Sequence, residues 1–488
     1  MQTISQMNIN KIKRPVKVIQ FGEGNFLRAF ADYMIDEAND KGIFSGNIAI
    51  VKPIAFGTLD SFKKQNCNYT VILRGKENGE TVNKKKIVTS VSSVYDAAGD
   101  YDEWMNLACS FNLRFVISNT TEAGIVFDSS DHFEGLPETY PGKLTKFLYK
   151  RFEHFGGEKN RGLIILPVEL IEDNGKKLLE CVLKLSDVFS LCEEFKKWVK
   201  EDCVFCSTLV DRIVTGFPRN DPESLFNELT YEDKLAVIAE PFGLWVIESD
   251  KEISGEFPLD KAGMPVLFTD NQKPYRERKV RVLNGAHTSF VLAGYLAGFD
   301  IVRDCMKDKT VGKFIRSAVK NEIAPNVPLD LSETLKFAES VFERFENPFI
   351  DHSLLSISLN SVSKWKARVL PSVTDHYEKN GKLPHLLTFS FAALLAFYRS
   401  SYLLNDGLHS KRQNGEEYVI HDSSDVLAFF AQNADKSDEE YVKAVASNSA
   451  FFGKDLTKFK GFKELALKYL IELQNDPLNA IKNAAEEK

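Results

Sequence analysis

Short β-branched runs alternate with helical periodicity through the first half of the chain. Val16–Phe21 (VKVIQF) reads as a compact strand, and residues 26–39 behind it carry a helix-like pattern. Residues 48–51, 114–118, 163–166 and 204–206 repeat the strand signal. This alternation predicts a mostly parallel sheet with helices on both faces. One segment breaks the rhythm: residues 69–74 and 86–91 flank Asn78 and Gly79, a favoured turn pair, and predict an antiparallel hairpin inserted after the second strand. Beyond about residue 280 long helical patterns take over, at 288–297, 331–345, 383–400 and 462–473. The expected fold is therefore α/β: a Rossmann-like N-terminal domain with an inserted β-hairpin, residues 1–278, followed by an all-helical C-terminal domain, residues 279–488.

Composition narrows the class. The 488 residues suffice for two substantial cores, and 43% hydrophobic with 27% charged residues is ordinary for globular chains. The most apolar run, residues 386–398 (LLTFSFAALLAFY), is too short to span a bilayer and reads as a buried core helix. The polar N-terminus lacks the apolar stretch of a secretory signal. A net charge of −7, with acids and bases interspersed, argues against a nucleic-acid partner. Seven scattered cysteines without CxxC spacing suit a reduced, cytoplasmic protein. The eight histidines show no HExxH and no close His/Cys cluster, so no metal site is expected.

Chemistry enters at two places. Gly22-Glu23-Gly24-Asn25-Phe26-Leu27 follows the first strand and opens a helix. Gly22 permits a tight turn, Gly24 allows a pyrophosphate to approach the backbone, and the helix N-terminus at Asn25 and Phe26 supplies amide donors. Leu27 stands where the usual third glycine would be; the bland alternative is a strand–helix turn that binds nothing. After the second strand, where an NAD site usually carries an acid, the chain reads Val51-Lys52-Pro53. Lys52 either attracts the 2′-phosphate of NADP or faces solvent, so these residues leave the choice between NAD and NADP open.

The second place is the string KVRVLNGAH, with Lys279, Asn284 and His287. On an α-helix Asn284 and His287 lie one turn apart on one face. Lys279 starts roughly 12 Å below His287, within reach only through its long side chain. A lysine made less basic beside Arg278 or Arg281 would serve as a proton carrier, Asn284 as a donor to a developing alkoxide, and His287 as an orienting group. A cationic helix start with a core histidine reads from the same letters.

These residues sit within a wider resemblance. Residues 20–28 (QFGEGNFLR), 118–124 (SNTTEAG), 205–215 (FCSTLVDRIVT), 239–245 (AEPFGLW) and 279–287 occur in order, and the chain resembles the polyol-specific long-chain dehydrogenases, the mannitol dehydrogenase family. The resemblance implies an NAD-dependent oxidoreductase with Lys279 as general acid–base and Asn284 and His287 on the reacting oxygen, without a metal. It also implies Asn119, Thr120 and Glu122 near the nicotinamide and Asp211 near the substrate; a polar loop and an ion pair between Asp211 and Arg212 are the plain alternatives. Two positions depart from the pattern: Leu170 stands where the mannitol enzymes carry a second oxyanion-binding asparagine, and Ser356 where they carry an arginine. Lys364 is retained. A different substrate is implied, and Lys364 with Arg368 would hold the carboxylate of a sugar acid; a solvated cationic helix face is the alternative. A neutral ketose or polyol, another ketohexuronate, or a non-catalytic NAD(P) sensor are the rival readings.

Overall fold

The computed structural model describes residues 1–120, 123–399 and 402–487. The first eight strands are β1 (Val16–Phe21), β2 (Asn47–Lys52), β3 (Tyr69–Glu77), β4 (Glu80–Val88), β5 (Val91–Asp96), β6 (Phe115–Ser118), β7 (Ile164–Pro167) and β8 (Val204–Phe205). Six of them form one sheet in the order β5-β2-β1-β6-β7-β8, every neighbouring pair parallel. Parallel strands need crossover connections, and helices on both faces cover the sheet. That is why all six residues of β2 are buried and why its sequence is nearly continuous in apolar residues. Alternate residues go to opposite cores: Val18, Ile48 and Ile117 join one apolar cluster, Ile19, Val51 and Val116 the other. The strand order turns back between β1 and β6, the switch point outside which ligands of such sheets bind.

The hairpin is present and longer than the sequence suggests. β3 and β4 are joined by Asn78 and Gly79, both at positive φ (54° and 82°), as a type I′ turn requires. Residues 91–96 do not continue it; they turn into the main sheet as β5. With β9 (Ser207–Asp211), β10 (Val214–Gly216), β11 (Val237–Ala239), β12 (Leu244–Glu248) and β13 (Val266–Thr269), two further sheets form, β10-β11-β3-β4 and β13-β12-β9.

The chain divides into two units, residues 1–74 with 82–272, and residues 75–81 with 273–488. The hairpin tip thus belongs to the second unit, where Lys76 pairs with Glu346 and the Gly79 N–H donates to Glu343. The division falls before Lys273 because one helical segment runs from Lys273 to Leu296, and a cut at 278 would split it. The second unit is helical around two helices buried on nearly every side, Ala286–Leu296 and His385–Tyr398. The latter is the core helix expected from the apolar run. One feature departs from an all-helical reading: a small antiparallel sheet, β14 (Tyr402–Leu404), β15 (Gly407–Lys411) and β16 (Glu417–Ile420), whose strands are too short to stand out in a helical context. Among the described residues no helix is long and apolar enough to cross a membrane, and all seven cysteines are free thiols.

Candidate functional site

In the first unit the site begins at the end of β1. The Gly22 N–H donates to the Val51 carbonyl (3.0 Å), and the Asn119 N–H to the Phe21 carbonyl (3.0 Å). Gly22 has φ +121°, and a Cβ there would meet the Asn119 carbonyl oxygen at 2.8 Å, so only glycine fits. Gly24 is different. It caps the helix with ordinary φ −65°, is exposed, and a Cβ built on it meets nothing within 4 Å. That open cradle before a helix N-terminus fits a pyrophosphate. Behind the turn, the Gln20 side chain donates to the Gly22 carbonyl (3.0 Å). Arg28 donates to the Glu23 carbonyl (3.2 Å), to Asn25 Oδ1 (2.6 Å) and to the Leu235 carbonyl. Asn25 is therefore tied back to Arg28, and Phe26 stacks on Phe30 (4.9 Å), while their main-chain amides stand in the first turn of the helix, where such groups lack an intrahelical partner.

Asn119 and Thr120 are held by the end of β7. Asn119 Nδ2 donates to the Val168 carbonyl (3.3 Å), while the Thr120 N–H and Oγ1 donate to buried Glu169 (3.1 and 3.0 Å). Glu122 lies outside the described residues. Asp211 is buried at the end of β9. Its neighbour Arg212 donates to the carbonyls of Ala29, Pro241 and Phe242, tying the helix after the turn to residues 241–242. Leu170, at the missing asparagine, is 64% exposed. Lys52 corrects both expectations held for it. Its side chain is 2% exposed, its ammonium pairs with Asp96 at 2.8 Å and donates to the Ile54 carbonyl at 2.6 Å; it neither faces solvent nor carries an uncompensated charge.

In the second unit the string KVRVLNGAH is not α-helical throughout. Lys279–Gly285 is a π-helix, and α-helix resumes at Ala286. With i→i+5 bonding the segment is wound more widely, which brings residues five apart, Lys279 and Asn284 among them, closer to one side than an α-helix would. Lys279 and Asn284 are half-buried and His287 buried. The flanking arginines are engaged elsewhere: Arg278 pairs with Glu333, and Arg281 with Asp375 and Glu277.

His287 lies against Phe345 and is 5.2 Å, ring to ring, from His352. Burial holds its pKa well below the usual 6.5, helped by His352, Arg344, Arg368 and Lys364. Among the described residues its Nε2 has no hydrogen-bond partner, and a buried polar atom left so is costly unless a ligand completes it. The expected Lys364 and Arg368 are thus brought within electrostatic reach of the imidazole, and burial lowers the pKa of each. Gly285 makes this possible: a Cβ there would meet the Arg368 carbonyl oxygen at 2.8 Å. Arg344 and His352 were missed by sequence reasoning, since each reads there as one more polar residue at a helix end or loop. Among the described residues no group of three or more His, Cys, Asp or Glu side chains is placed to hold a metal ion.

Comparison with known proteins gives two family matches, the mannitol dehydrogenase Rossmann domain over residues 16–261 and the mannitol dehydrogenase C-terminal domain over residues 271–473. An altronate oxidoreductase of Bacteroides thetaiotaomicron is 42% identical over 463 residues, 94% of this chain and 95% of that protein. Among solved structures, a D-sorbitol dehydrogenase in substrate-free form superposes with a TM-score of 0.74 at 20% identity, covering 96% of this chain and 95% of that one. The Pseudomonas fluorescens mannitol 2-dehydrogenase in complex with NAD and D-mannitol gives 0.65 at 20% identity, covering 100% and 97%.

Proposed function

Because this chain belongs to the mannitol dehydrogenase family, and is therefore an oxidoreductase acting on CH–OH groups, we propose that it is an NAD-dependent tagaturonate reductase (altronate oxidoreductase). The reaction is D-tagaturonate + NADH + H⁺ ⇌ D-altronate + NAD⁺, a step of hexuronate catabolism. The observation that supports the substrate class is that Arg344, Lys364 and Arg368 all act electrostatically on buried His287, whose Nε2 lacks a partner among the described residues. A sugar carboxylate is drawn to such a positive field, whereas a neutral polyol is not.

NAD, when bound, supplies the two-electron chemistry. The exposed turn at Gly24 and the amides of Asn25 and Phe26 would hold its pyrophosphate. Lys279 carries the proton, releasing it from Nζ to the substrate oxygen in reduction and taking it back in oxidation. Asn284 and His287, the latter with its proton on Nε2, donate to that oxygen as negative charge builds there. Lys364 and Arg368 bind the carboxylate. The scheme uses no metal ion.

The test is NADH or NADPH consumption by purified protein against tagaturonate, fructuronate and fructose. The reading expects ketohexuronates to be reduced far faster than fructose. Equal kcat/KM for fructose would return the chain to the polyol enzymes, and nucleotide binding without turnover on any substrate would make it a sensor.

A further inference from the structure

The acid that a dinucleotide site carries at the end of its second strand, to accept the ribose hydroxyls and repel a 2′-phosphate, is missing from β2, which ends on Lys52. We propose that Asp96, the last residue of β5, takes over that task and selects NAD against its 2′-phosphorylated form. The inference rests on the cofactor reading above and adds the residue that decides which nucleotide is taken.

β5 is the parallel neighbour of β2, and Asp96 is the register partner of Lys52. The two side chains meet at 2.8 Å, and their exposures differ sharply, 2% for Lys52 and 35% for Asp96. The ion pair is therefore oriented: its positive end is sealed inside, and its negative end faces solvent at the ligand edge of the sheet. An anion approaching this edge meets a carboxylate first.

The carboxylate is also held in place for the task. One oxygen accepts the N–H groups of Ala98 (3.1 Å) and Gly99 (3.0 Å), and the other accepts Lys52. An ionised carboxylate has about four acceptor sites, so capacity remains for a ribose hydroxyl, which donates a proton, whereas a 2′-phosphate, about −1.5 to −2 in charge at neutral pH, is repelled by the like charge. Glu23, in the glycine turn, lies close enough to interact with both Lys52 and Asp96 and places a second negative charge nearby. Lys52 also donates to the Ile54 carbonyl (2.6 Å), which anchors the residues that follow β2.

Fluorescence titration with NADH and NADPH tests this without turnover, and nucleotide-dependent shifts in melting temperature give a second readout. The wild type should prefer NADH. Asp96→Asn removes the outward negative end and leaves Lys52 without its counter-ion, so the affinity ratio should move toward NADPH by about tenfold or more. Lys52→Met keeps the carboxylate and should leave the NADH preference intact or sharpen it. A purely structural pair would weaken both nucleotides alike in both variants. Should Asp96→Asn not fold, because a buried cation has lost its partner, the double variant Lys52→Met/Asp96→Asn removes both charges and should bind the two nucleotides within about threefold of each other. An unchanged ratio across the variants that fold overturns the assignment of Asp96 alone. A wild type that binds neither nucleotide overturns the cofactor reading and this inference with it.

Discussion

His287 lies nearly flat against Phe345, ring centroids 4.2 Å apart and planes 30° from parallel. Phe345 follows Arg344 directly at the end of the helix Leu331–Phe345, so the residue that buries the imidazole is the chain neighbour of one of the cations acting on it. Packing and electrostatics thus push His287 the same way, toward the neutral form, with His352, Arg344, Arg368 and Lys364 as the charged or titratable groups facing it.

That has a consequence for acid stability. The folded chain resists protonating His287, while the unfolded chain takes up the proton near pH 6.5. The stability this group contributes is therefore present above about pH 6.5 and lost as the pH falls below it, with a slope of at most about 1.4 kcal/mol per pH unit. Urea unfolding between about pH 7.5 and 5.5 should show the wild type losing more stability than His287→Gln. An equal loss would mean that the imidazole is charged in the fold.

Lys279→Ala should lower kcat by about 10²–10⁴-fold while NADH affinity stays near normal. A small external amine should restore part of the rate by occupying the vacated space. If the variant keeps more than about a tenth of wild-type kcat, another residue moves the proton.

Gly24→Val should fold, because its φ suits any residue and the space around it is open. The branched side chain would fill the cradle, so NADH fluorescence titration should show a sharply raised Kd. Unchanged affinity would remove this turn from the cofactor site.

Arg368→Ala should raise KM for a ketohexuronate with a smaller effect on kcat, as loss of uniform binding does. Activity on fructose, which has no carboxylate, should hardly change. A parallel loss on both substrates would assign Arg368 to the fold rather than to the substrate.

Gly285→Ala places a methyl group 2.8 Å from the Arg368 carbonyl oxygen. Overpacking of this kind costs about 1–3 kcal/mol, and it would push the helix Ser361–Arg368 away from the π-helical segment. A lowered melting temperature with raised KM for the acid is expected; an unperturbed KM would uncouple Gly285 from the substrate site.

Much of this protein was legible in the letters because the physics there is local. Val16–Phe21 reads as a strand to the residue, and Asn78-Gly79 announces its turn through two positive φ angles that few other pairs tolerate. The glycine turn between β1 and its helix, and the string from Lys279 to His287, are local as well, and the resemblance to a family could be carried on them. What the tertiary structure alone decided are relations between distant residues. The spacing argument for Lys279, Asn284 and His287 assumed an α-helix, whereas the chain forms a π-helix at Lys279–Gly285, and no local signal distinguishes the two hydrogen-bond patterns. Lys52 read as a cation that either attracts a 2′-phosphate or faces solvent because Asp96, its counter-ion, arrives from a neighbouring strand. Arg344 and His352 join Lys364 and Arg368 only where the chain folds back on His287, and the charge that bears on a buried group is set by everything packed against it. Sequence spacing records neighbours along the chain; burial and field belong to neighbours in space.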